Sequence, residues 1–127
     1  MEGLAPENGF LPVRVGSSWR AMELAAVVEI LDWQEPMPLP GAPPEVLGVM
    51  AHCGHTVPVL ALSRCLDPSE DRDAPVAFPR IVVVAVLGMR VGCRCDEVRS
   101  VGEEVPPCAP LDLVALLEPL ASGRTDG

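Results

Sequence analysis

Apolar positions in this chain fall in short runs, most of them closed by proline or glycine. Between Pro38 and Leu66 a proline-rich stretch leads into two apolar segments around a Gly54-centred turn, with Pro58 inside the second. This spacing predicts two short strands. Ile81 to Leu87 is another continuous strand-like run. Leu24, Val27, Val28 and Leu31 recur at i, i+3, i+4 and i+7, with Glu23, Glu29 and Asp32 on other faces, so a short amphipathic helix is expected there. Glu35 to Pro44 holds five prolines and Gly41. It should be an extended surface loop outside any helix or ladder. Residues 67–79 are polar and acidic and read as a linker between two halves of similar strand content. Pro110 suits a first helical turn, followed by Leu113, Leu116, Leu117 and Leu120 near one face, with Pro119 limiting the helix. Many short strands without a long helix predict a mainly β fold, a barrel or a pair of small barrels, because closure removes exposed edges.

Composition narrows this picture. A chain of 127 residues suits one domain, taken here as 10–121 with tails at 1–9 and 122–127. Only 3% of residues are aromatic, so the core must be aliphatic. The net charge of -9, with nine arginines and no lysine, argues against a nucleic-acid partner, which requires clustered positive charge. Met1 to Gly9 lacks the basic and apolar regions of a signal peptide, and no run is long enough to cross a bilayer as a helix. A cytoplasmic protein without membrane insertion is expected. Five cysteines without framework spacing agree with a reducing compartment.

The sharpest chemistry is His52-Cys53-Gly54-His55, with Cys93 and Cys95 on one face of a later strand as additional metal ligands if that strand lies beside the turn. The spacing matches no standard zinc motif, and the simpler reading is a polar turn with unrelated buried thiols. The expectation is no metal and no cofactor. A Cys-His nucleophile pair is disfavoured because adjacent residues on a strand point to opposite faces. No phosphate loop, Schiff-base lysine or Gly-x-Ser-x-Gly elbow is present. The acidic pairs Asp96-Glu97 and Glu103-Glu104 read as solvated turns, and Trp19 and Trp33 as either partner anchors or partly buried core.

Three blocks in order carry a resemblance. FLPVRVGSSWRAMELAAVVEIL (10–31) suggests strand, tight turn at Gly16-Ser17, strand and short helix. The central block (38–66) and RIVVVAVLGMRVGCRCDEVRSV (80–101), with Cys95, Asp96 and Val98 in a Val-Asp-x-Val ending, follow. Together they resemble the CheW-like domain family, adaptors that couple chemoreceptors to the histidine kinase of bacterial chemosensory arrays. The resemblance implies two small intertwined β-barrels with a short helix near the N-terminus, to which the C-terminal helix would be added. It implies no enzymatic activity, and localisation to chemoreceptor arrays.

By the same resemblance the partners would be a methyl-accepting chemoreceptor and either a CheA-type histidine kinase or another CheW-like protein. Val27, Ile30, Leu31, Leu47, Val49 and Val98 would line the receptor groove. The family's Asn-x-Arg-Gly kinase-contact turn corresponds to Ala51-His52-Cys53-Gly54, and its acidic residue to Ala61, so kinase coupling should be weakened. A further family hairpin after Pro107 has no counterpart, which makes a homodimer a second expectation. The alternative is a small metal- or thiol-dependent enzyme using His52 to His55.

Overall fold

Strict alternation shapes the first element. In Phe10–Val15 (β1), Leu11, Val13 and Val15 are buried and the residues between are half-exposed, the signature of a strand with one dry face. A computed structural model describes residues 9–66, 79–99 and 108–123. β1 turns through Gly16, at φ 63, into the antiparallel Ser18–Glu23 (β2). There follow Val27–Asp32 (β3), Val46–His52 (β4), His55–Ala61 (β5), a short helix Leu62–Leu66 (α1), Arg80–Val86 (β6), Met89–Cys95 (β7), Glu97–Val98 (β8), Ala109–Pro110 (β9) and a helix Leu113–Gly123 (α2).

The strands form two sheets, ordered β8-β1-β2-β9 and β3-β6-β7-β5-β4. Each sheet draws strands from both sides of the 67–79 segment, which apart from Pro79 lies outside the described residues. The two halves therefore interleave, and the fold is mainly β.

β6 explains why one run is continuously apolar. Val82, Val84 and Val86 face a core shared with Leu11, Val13, Met22, Val91, Cys93 and Leu117, while Ile81 and Val83 face a second core with Met50, Val57 and Val59. A strand buried on both faces has no polar side to show. Gly92 on β7 leaves room for the second core: a Cβ there would sit 3.0 Å from Ile81 Cγ2 and 3.3 Å from Met50 Cε. Pro58 offers no N–H, and the parallel ladder from β5 to β7 begins one residue later, at Val59.

Three local expectations need correction. The helix expected over Leu24 to Leu31 is a single 3-10 turn, Leu24–Ala26, after which the chain is strand. Val27, Val28 and Ile30 are β-branched and favour the pleated geometry, and β6 supplies the ladder that four apolar spacings could not anticipate. The proline loop does touch a ladder: Met37 exchanges two 2.8 Å backbone hydrogen bonds with Val49. At the other end Pro110 belongs to β9, and the helix starts after Asp112, whose carboxylate accepts the Ala115 N–H at 3.1 Å as an N-cap. It continues through Pro119 to Gly123, beyond the limit that proline was expected to set. Leu113 and Leu117 are buried and Leu116 half-buried against the first core, as the spacing predicted, while the Leu120 side chain lies outside the described residues. Among the described residues no helix is long and apolar enough to cross a membrane.

Candidate functional site

The five-stranded sheet curls until its edge strands meet through side chains. Glu29 on β3 and His52 on β4 belong to the two opposite edges, yet His52 Nε2 lies 2.7 Å from Glu29 Oε1. Alternation puts Glu29 on the side of Leu31 and His52 on the side of Met50, both of which pack on the second core. The pair therefore caps that core at the end where β4 turns into β5. His52 is nine-tenths buried, and its Nδ1 finds no hydrogen-bond partner among the described residues. Cys53 and Gly54 form the two-residue turn with φ 51 and 80. Two positive φ values define a type I′ hairpin, where Asn-Gly is the favoured sequence and a cysteine is strained.

That strain overturns the expected geometry of the His52-Cys53 pair. Alternation holds only on extended backbone, and the left-handed Cys53 brings its Sγ back to 3.7 Å from His52 Nε2. The pair is still not a nucleophile and base. With Glu29 ionised, the proton on Nε2 is donated to its carboxylate, so the nitrogen beside the thiol has no free lone pair. A relay would place the acid on Nδ1, which has no partner among the described residues.

The other proposed ligands lie elsewhere. Cys93 and Cys95 are fully buried in the first core, and His55, although paired with His52 in the hairpin register, does not join the cluster; Glu29, unsuspected from sequence, does. Burial pushes the Cys93 thiol up to about 12, Cys95 well above the usual range, and Cys65 up to about 11, with Glu45 adding to the last. Cys53 is exposed. Brief alkylation of the folded protein should therefore modify Cys53 first among the described cysteines, as peptide mapping would show. Equal labelling of Cys93 would contradict the packing.

The six residues expected to line a receptor groove divide three ways. Leu31 and Leu47 pack on the second core, Val27 and Val98 on the first, while Ile30 is 38% exposed on the outward face of β3 beside Val28, also exposed. Val49 is half-exposed on β4, with its backbone held by Met37. Of the turn residues, Ala51, Cys53 and Gly54 are exposed together at one end of the hairpin. Ala61 is buried at the opposite end, about 20 Å along the strand at 3.3 Å per residue. It does not share the turn's neighbourhood.

A model of the CheW-like domain matches residues 9–106. This chain belongs to the CheW-like domain family. In structure it is similar to the scaffolding protein TtCheW from Thermoanaerobacter tengcongensis, with a TM-score of 0.63 at 20% identity, a match covering 79% of this chain and 64% of that one. No curated relative matches the chain in sequence.

Within this CheW-like domain, Asp96 and Glu97 are not the solvated turn expected. Asp96 accepts the Gly16 N–H at 2.6 Å and Arg94 Nη1 at 2.8 Å, tying the end of β7 to the β1–β2 turn. Glu97 accepts Arg99 Nε at 2.6 Å and Arg14 Nε at 3.1 Å. Arg99 and Arg94 also stack over Trp19 and Trp33, which are both half-buried. The Glu103-Glu104 pair lies outside the described residues. Hydrogen bonds from Arg99 and then Arg14 hold the Glu97 carboxyl below the usual carboxylate range. A depressed folded-state value contributes stability above the unfolded value and loses it as pH falls through the folded one. Glu97→Gln should thus lower the urea midpoint near neutral pH and converge with the parent as pH falls through the depressed folded-state value. A difference that grows in acid would contradict the pairing.

Proposed function

We propose that this CheW-like domain is a non-enzymatic adaptor of a bacterial chemosensory array in the cytoplasm, docking the helical hairpin of a methyl-accepting chemoreceptor. The family match over 9–106 carries this reading. The exposed Val28 and Ile30 on edge strand β3, backed by Leu31 on the second core, give the helices an apolar face to meet. Helix recognition of this kind uses aliphatic lining more than charge. Val49 on the other edge strand would extend the contact.

Coupling to a CheA-type kinase is weak in this reading, because an exposed thiol stands at the turn position where the family resemblance places arginine. Losing a charged anchor from a contact hot spot costs about 2 kcal/mol or more, enough to reduce a micromolar contact to marginal binding. Ala61, buried and distant, is not part of that loss. The competing thiol-enzyme reading lacks a free base at His52 Nε2. The test is co-purification of the chain with a receptor's cytoplasmic region and, separately, with the kinase regulatory domain of the same genome. Receptor retention with little kinase, and more kinase on Cys53→Arg, is the expected pattern. Folded chain that retains no receptor would refute the adaptor role, and kinase binding equal to that of a full-length adaptor would refute the weakened coupling.

A further inference from the structure

The Glu29, His52 and Cys53 side chains converge although 22 residues of other structure separate Glu29 from the hairpin end. One ligand atom from each, a carboxylate oxygen, an imidazole nitrogen and Sγ, lies within 4.8 Å of the others. The geometry points to a binding site for a zinc-class divalent ion at the seam of the five-stranded sheet, with these three residues as ligands. The inference is independent of the adaptor reading.

The donor set selects the ion. Thiolate and imidazole favour zinc and its neighbours, whereas magnesium and calcium require oxygen donors throughout. In a tetrahedral site with Zn–N of about 2.0 Å and Zn–S of about 2.3 Å, nitrogen and sulfur stand about 3.5 Å apart. The observed Nε2 to Sγ separation is 3.7 Å. The Glu29 oxygen is closer, at 2.7 Å from Nε2, because a hydrogen bond now joins them. Opening that pair to about 3.3 Å would complete three corners, leaving a fourth for water. Glu29 sits on an exposed side chain and can make this adjustment, while His52 is held by burial.

Binding would move the imidazole proton from Nε2 to Nδ1 and release the Cys53 thiol proton to solvent. Nδ1 has no partner among the described residues to steady that tautomer. Ligating histidines are normally fixed by such a partner. The site therefore suits an exchangeable ion more than a permanent structural one. Its ligands straddle the two edge strands and the hairpin turn, so occupancy would clamp the seam of the sheet.

The test uses the full chain, purified without a histidine tag and stripped with chelator. Zinc is titrated against a chromogenic competitor, and cobalt is added separately as a spectroscopic probe. One ion per chain, a thiolate-to-cobalt absorption band, a higher Tm with zinc and protection of Cys53 from alkylation are expected. Cys53→Asn, whose asparagine suits the left-handed turn, should remove the band and weaken zinc at least tenfold. Glu29→Gln should weaken it several-fold. Absence of saturable binding at one equivalent, equal affinity in Cys53→Asn, or binding that depends on His55 and not on Glu29 would each overturn the site. The cobalt spectrum of the unmutated chain decides the thiolate question without any variant.

Discussion

Gly48→Ala should destabilise the domain by about 3 kcal/mol, read as a lower urea midpoint at unchanged slope. Gly48 lies at the irregularity between Val46 and Gly48 in the β4–β5 ladder, with φ 154. A Cβ there would fall inside the contact radius of the Met37 carbonyl oxygen and 2.8 Å from its carbon, both backbone atoms that cannot swing aside. The chain would have to push Met37 off, losing the two hydrogen bonds it shares with Val49. Those bonds hold the proline segment against edge strand β4 and blunt an exposed edge. Each is worth about 1 kcal/mol, and the distorted strand adds to the cost. An unaltered midpoint would mean that the Met37 bridge contributes nothing.

Leu117→Ala should cost about 3 kcal/mol, within the usual range for a buried leucine. Leu117 is fully buried on α2 and packs in the first core with residues from β1, β2, β6 and β7. Its importance lies in its position, for it falls outside the 9–106 span of the family match. A loss of this size would show that the segment from Leu111 to Leu117 completes the core of this particular chain. A loss below about 1 kcal/mol would place α2 loosely on the surface.

Much of the fold is legible in the chain because its signals are local. The Gly16 and Gly54 turns and the Leu113, Leu116 and Leu117 face of α2 depend on near neighbours, and the structure reproduces them. β3 is hard to read because its apolar residues satisfy the helical spacing, and only pairing with β6, distant in sequence, decides for strand. The site was harder still. Glu29 gave no signal in sequence, since nothing local reveals that opposite edges of one sheet approach each other. Cys53 is illegible for the opposite reason: strand alternation holds only on extended backbone, and its φ is positive. Asp96 looked like a solvated turn, but its partners Gly16 and Arg94 come from two sheets that sequence could not register against each other.

The adaptor account is tested most directly by calorimetric titration of a receptor's cytoplasmic helical hairpin into the chain and into Ile30→Glu. Ile30 is 38% exposed and contributes to neither core, so the variant should keep its unfolding midpoint while placing a charge on the proposed docking face. Saturable micromolar binding by the parent chain, weakened at least tenfold (about 1.4 kcal/mol) in Ile30→Glu, is the predicted result. No saturable binding by the folded parent chain, or equal affinity in the two proteins, would contradict receptor docking on β3.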